Sequence, residues 1–228
     1  MFLGVPGARW EAVPVEDALE LYDMAEASND PDWDVEDLFD EEECEDFFVH
    51  RGDLRVDGAL ALGNGPDEDK DTVYVIDGAL TVDGPVTFLN MDVYTTLYVT
   101  GSVVAHDLVC LWDCSLFVGR SLTVRNLLAT SLIEMGSLVV RGPVSAGTWL
   151  EMGGRGRIHF SGAPSVARVA ARADVGSDGY SEGSNAVEHL GGAAGLAEVV
   201  LPEFFEEDGT CDDFELSKAV FEGRPVLR

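Results

Sequence analysis

The sequence predicts a mainly β, single-domain parallel β-helix: a right-handed β-solenoid of about five or six coils with short α-helical acidic caps at both ends. Three observations lead there. Short strands of the form apolar-x-apolar, each followed by glycine or a close variant, recur as "DLRVDG", "ALTVDG", "TLYVTG", "SLFVGR", "SLVVRG" and "RIHFSG". Their leading residues, Leu54, Leu80, Leu97, Leu116, Leu138 and Ile158, are 17 to 26 residues apart. Within a repeat, two or three apolar strands follow in the same order, as "LYV", "SVVA" and "DLVCLW" do between Thr95 and Cys114. One coil with three walls requires this, each wall stacking its inward side chains on the coil below. An antiparallel sandwich would instead use Asn-Gly or Asp-Gly hairpins; "DG" does occur at Asp57, Asp77 and Asp83, but the later repeats turn on "TG", "GR" and "RG".

The chain divides into an acidic flank (1–50), the solenoid (51–162), and a small-residue loop with a second acidic flank (163–228). In the first flank, Val15, Ala18, Leu19 and Tyr22 fall at helical spacing, with acids early in the run where they favour a helix N-terminus. In "DPDWDVEDLFDEEECEDFF", Trp33, Leu38, Phe39, Phe47 and Phe48 interrupt a run of carboxylates, which predicts packing against the end of the solenoid. A solenoid end is an exposed strand edge and a bare apolar cross-section, so the flanks are expected to cover the two ends. "ADVGSDGYSEGSNAVEHLGGAAG" reads as a mobile loop, and a helix is predicted near Asp213 to Phe221, ended by Gly223 and Pro225.

Composition then bounds function. The 228 residues hold 43 Asp+Glu against 14 Lys+Arg, a formal charge of -29. Such a field repels phosphate backbones and anionic headgroups, so direct nucleic-acid or membrane binding is not expected and partners are expected to be basic. The start lacks the pattern of a secretory signal and no apolar run reaches 18 residues. Four dispersed cysteines, Cys44, Cys110, Cys114 and Cys211, read as reduced thiols of a cytoplasmic protein.

Catalytic and metal motifs are sparse. Asp30, Asp32, Asp34, Glu36 and Glu41 match positions 1, 3, 5, 7 and 12 of a calcium loop, but Val35 stands where the sharp turn calls for glycine. His106, Cys110 and Cys114 share a spacing of four, yet Val109, Leu111 and Trp112 around them mark wall material. No nucleophile elbow, zinc-protease, P-loop or dinucleotide fingerprint is present. Only four histidines, His50, His106, His159 and His189, are there for general-base work, and carboxylates are too abundant for any pair to signal. No enzyme, cofactor or metal is expected. Arg155 and Arg157 form the one locally basic patch and are expected to pair with the acidic flanks; Tyr74, Tyr94, Tyr98, Trp112 and Trp149 are expected in the core.

On "SLFVGR" and "SLVVRG" the middle of the chain resembles the β-helical, polymer-forming bactofilins, a resemblance that covers about half the sequence and implies end-to-end assembly of bare solenoids. The departure is in the flanks, which read as folded and highly charged and would oppose head-to-tail polymerisation. In general character, small, very acidic and without catalytic residues, the chain is similar to the bacterial immunity proteins of polymorphic toxin systems, which neutralise a toxin domain by binding it.

The expected function is therefore a non-enzymatic binding protein, a toxin-neutralising immunity protein that captures a basic protein. The alternatives are a polymer-forming assembly protein and a nucleic-acid mimic. The expected partner-binding residues are Asp32, Trp33, Asp34, Glu36, Asp37, Asp40, Glu41, Glu42, Glu43, Glu206, Glu207 and Asp208. The expected state is a monomer or small homo-oligomer.

Overall fold

The structure is a computed structural model that describes residues 4–32, 45–63, 72–91, 95–133, 135–171 and 188–228. Its centre is a parallel β-solenoid of about five turns. The first wall stacks β2 (Asp46–Arg51), β5 (Thr72–Asp77), β8 (Thr95–Val99), β11 (Ser115–Val118), β13 (Ser137–Val140) and β15 (Arg157–Phe160). The second begins with β3 (Leu54–Val56), β6 (Leu80–Val82) and β9 (Val103–Ala105) and continues in the first parts of β12 (Leu122–Leu132), β14 (Val144–Gly154) and β16 (Ser165–Ala171). The third stacks β4 (Leu60–Leu62), β7 (Val86–Asn90), β10 (Leu108–Trp112), the later parts of β12, β14 and β16, and β17 (Glu188–Gly191). Parallel strands thus extend on both sides of 51–162.

Thr95 to Cys114 is one coil, with β8, β9 and β10 as its three walls. The strand columns differ from the leucine spacing in one respect. Leu54 pairs with Leu80 on the second wall, whereas Leu97, Leu116, Leu138 and Ile158 stack on the first. On the coil above, Leu80 pairs with Val103, and on the coil below, Leu97 pairs with Tyr74. The 17-residue interval was a slip from one wall to the next, possible because both walls present the same apolar-x-apolar step before a glycine.

Inward residues form the main core, and on the third wall Leu60, Val86, Leu108, Leu128, Trp149 and Val169 stack in one column. Burying each Leu, Ile or Val stabilises by about 1.5–3 kcal/mol. The first and third walls are apolar on their outer faces too, so each needs a covering layer.

On the first wall, Phe47, Val49, Val73, Val75, Phe117 and Val139 pack under α1 (Val15–Leu21) and α2 (Met24–Ser28), which bury Ala18, Met24 and Ala27. The predicted single helix is two because Tyr22 leaves the helical conformation and Asp23 restarts it, its side chain accepting the Glu26 N–H at 2.8 Å. On the third wall, Val109, Leu111, Leu127, Ala129, Leu150 and Ala170 pack under the C-terminal segment. That segment holds α3 (Gly192–Val199), a 3₁₀ turn (Pro202–Phe204) and α4 (Asp213–Phe221).

The flanks therefore lie mainly along the sides of the solenoid. The start is closed as expected, though by the residues before the helices. Val5, Ala8 and Trp10 pack on the inner core, and β1 (Glu11–Pro14) pairs antiparallel with β2. Trp10 meets Tyr74 edge-on at 5.1 Å.

Of the stretch expected as a mobile loop, 173–187 lie outside the described residues and 188–195 are ordered structure. β17 pairs with β16, and α3 buries Leu196 and Val199 on the third wall. Tertiary pairing outweighs the glycine content there. The predicted helix Asp213–Phe221 forms with those bounds, capped by Asp212 and followed by Gly223 at φ 71°. No helix among the described residues is long and apolar enough to cross a membrane.

Candidate partner-binding surface

The sequence-predicted binding residues that the structure describes fall in two places. Asp32 is exposed just after α2 on the first wall, and Trp33, Asp34, Glu36, Asp37, Asp40, Glu41, Glu42 and Glu43 lie outside the described residues. Glu206, Glu207 and Asp208 are exposed on a turn in the layer over the third wall. There the Gly209 N–H donates to the Glu206 carbonyl at 3.0 Å and the Asp208 carboxylate accepts the Thr210 N–H at 2.8 Å. Asp32 and this turn sit in layers over different walls, so Asp32 does not share a site with Glu206, Glu207 and Asp208.

Around Glu206 the structure adds residues that sequence reasoning missed. A cleft of about 220 Å³ is lined by Glu203, Phe204, Phe205, Glu206, Asp212, Glu215 and Arg224. Four carboxylates face one guanidinium, and Arg224 is engaged by Glu222 at 2.8 Å. The floor is fixed by α4, whose first turn is held by Asp212 accepting the Glu215 N–H at 2.9 Å. Beside it, burial pushes the Asp213 carboxyl up, while hydrogen bonds from Ser131 and Trp112 act in the opposite direction. Burial, with Asp213 and Asp212 nearby, pushes the Cys211 thiol up to about 12, which keeps it a neutral thiol. The cleft has the charge and the aromatic lining to take cationic side chains.

Charge is unevenly distributed. Residues 115–171 carry six arginines against Glu134 and Glu151, a formal +4, so the rest of the chain carries −33. Two of these arginines clamp the N-terminal helices. Arg157 donates to Asp30 Oδ2 at 3.1 Å and to the Asn29 carbonyl. Arg141 donates to Asn29 Oδ1 at 2.9 Å and to Glu26 Oε1 at 3.2 Å. Arg157 thus pairs with the acidic flank as expected. It also occupies Asp30, the first position of the calcium-like pattern; Asp34, Glu36 and Glu41 lie outside the described residues.

The other chemical candidates are built into the coils. Cys110 and Cys114 are fully buried in the core, and burial raises the Cys114 thiol well above its ordinary range. His106 Nδ1 lies 2.7 Å from Asp107 Oδ2 at a corner where Asp107 Oδ1 accepts from Asn126 Nδ2 at 2.7 Å and the Leu127 N–H at 3.1 Å. This is a corner brace. Among the described residues no group of three or more His, Cys, Asp or Glu is placed to hold a metal.

Of the five aromatics expected in the core, Tyr74 and Trp149 are there, and Tyr94 lies outside the described residues. Tyr98 faces out beneath Tyr22, with ring centroids 6.4 Å apart. Trp112 also faces out, stacked at 6.0 Å on Phe214.

The second wall carries no covering layer among the described residues. Its outward positions run Arg55, Thr81, Val104, Thr123 and Ser145, pairing coil on coil. A groove of about 530 Å³ crosses its upper part, lined by Thr123, Arg125, Ser145 and Ser165 among others.

No protein-family model, no curated protein and no solved structure matches the chain.

Proposed function

We propose that the protein is a non-enzymatic binding protein that captures a basic protein partner, concretely an immunity protein that neutralises a basic toxin domain. The observation that carries this reading is the cleft where Glu203, Glu206, Asp212 and Glu215 gather beside Phe204 and Phe205 with one arginine among them. The chain's formal charge of −29 steers a cationic partner inward and raises the association rate. Of the cleft's carboxylates Asp212 is held in place before the partner arrives, because it accepts the Glu215 N–H at the start of α4, which lowers the ordering cost of binding.

The test is identification of the protein that co-purifies with the chain from its native host, followed by surface plasmon resonance of that protein across a salt series. The association rate should fall steeply as salt rises. The combined Glu203→Gln, Glu206→Gln, Asp212→Asn and Glu215→Gln variant should slow association about tenfold or more while leaving thermal unfolding nearly unchanged. Association indifferent to salt and to these four changes would sink the reading.

A second reading, end-to-end assembly, is favoured by one observation: among the described residues no strand pairs with the outer edge of β15. An open edge is a template for another chain.

A further inference from the structure

Trp112 is the one described residue besides Asn29 that holds a positive φ without being glycine, at 63°. A bulky side chain is a genuine outlier there. In the strand ladder Trp112 pairs with Leu132, and Leu132 with Gly154, which also has a positive φ, of 107°. The position two coils above thus uses the residue that suits this backbone, while this coil keeps the largest aromatic. The indole is thereby carried outside the third wall at its corner with the first, where Phe214 stacks on it with planes 14° apart.

Phe214 stays 49% exposed, and the same corner presents Met91 at 52%, Ile133 at 36% and Met135 at 39%. They share the corner by register. Met91 follows Asn90 and Ile133 follows Leu132, which flank Trp112 on the neighbouring coils, and the Met135 carbonyl accepts from Ser115 Oγ beside them. Methionines re-pack around varied apolar groups, and exposed aromatics flanked by such groups anchor protein interfaces. The first turn of α4 joins this corner to the acidic cleft, since Asp212 and Glu215 line the cleft and Phe214 lies between them.

We infer that the corner of Phe214 on Trp112, with Met91, Ile133 and Met135, is the apolar anchor site for a basic segment of the protein partner. The adjoining acidic cleft takes that segment's cations. This rests on the reading of the protein as a captor of basic partners and names where the partner's bulky apolar side chains sit. Charge complementarity selects the occupant: an apolar side chain reaching this corner must bring its neighbours against Asp212 and Glu215.

The test uses the full chain labelled with ¹³C at its methionine methyls. Two synthetic peptides of equal positive charge are titrated in, one of lysine with leucine and tryptophan, the other of lysine with serine. The first peptide should move the methyl signals of Met91 and Met135 and leave those of Met24 and Met152, which are buried at 2% and 4% exposure. The serine peptide should bind about tenfold or more weakly, the loss expected when an anchor side chain is removed. Phe214→Ser should weaken the first peptide by a similar factor, and so should Met91→Gln with Met135→Gln, two side chains that are 52% and 39% exposed. Equal affinity for both peptides, or unmoved Met91 and Met135 signals, overturns the anchor site and leaves the acidic-capture reading standing. Failure of both peptides to bind at low salt removes that reading and the inference with it. Signals that shift with protein concentration alone, and stop doing so in the Phe214→Ser variant, give the corner to a second copy of the chain and overturn the inference.

Discussion

Glu151 faces the solenoid interior on β14, level with Thr130 and Cys110 on the coils below, and is 5% exposed. Burial raises its carboxyl above the ordinary value, and no described side chain pairs with it. A folded-state pKa above the unfolded one means that the folded chain holds the proton more tightly. This group's contribution is then most favourable below the ordinary carboxylate range and is lost as pH rises through the raised value. Glu151→Gln should therefore stabilise at neutral pH by roughly 1–3 kcal/mol, the scale of an uncompensated buried polar group, with the gain vanishing in acid. Urea unfolding at neutral and acidic pH measures it, and an equal gain at both would refute the assignment. Gly101 argues the opposite case, of a site with no room. A Cβ there would lie 2.6 Å from the Gly78 carbonyl oxygen of the coil below, so Gly101→Ala should cost about 1–3 kcal/mol, read as a lower urea midpoint at unchanged slope.

At the scale of elements, α1 and α2 reach the upper coils through Arg141 and Arg157, whose side chains are 28% and 36% exposed. These pairs are partly screened, so Arg141→Ala with Arg157→Ala should release the two helices at a cost of about 1 kcal/mol per pair. Hydrogen exchange should quicken over 15–30 and leave the coils protected; uniform quickening would mean that the helices are integral to the solenoid. How far these elements were legible depends on which signal each carries. The coils were legible because Leu97, Leu116 and Leu138 repeat at near-constant spacing, and α4 because Gly223 and Pro225 mark its end. What the layers cover was not read, although the signal existed. "TVYVI" and "LVCLW" are apolar at consecutive positions and must be covered outside, whereas "LRV" and "LTV" alternate and need not be. The cleft was half legible: Glu206 stood out by its charge, but Glu203, Asp212 and Glu215 converge only when the turn at 206–209 folds back on α4. Phe214 also had a signal, since it and Phe221 lie seven residues apart on the side of α4 away from buried Leu216, Ala219 and Val220.

For the whole molecule the question is what a stack of parallel coils does at its ends, since any coil that accepts another coil accepts one from a second chain. At the start two features oppose this. Val5, Ala8 and Trp10 fill the cross-section of the core, and β1 runs antiparallel on β2, so the parallel ladder of the first wall cannot be extended there by an incoming β15. Charge opposes it as well, because −29 on each copy repels at long range. The two causes separate by salt, which shrinks the screening length from about 8 Å at physiological ionic strength to about 3 Å at 1 M and removes the charge term without touching the closed end. If closure decides, the full chain remains a monomer or small oligomer by light scattering at both ionic strengths and over a wide concentration range. Deleting residues 1–14 would then permit growth at high salt by freeing β2. Filaments of the intact chain at 1 M salt would show that charge alone kept the copies apart and would move the protein to the assembly reading.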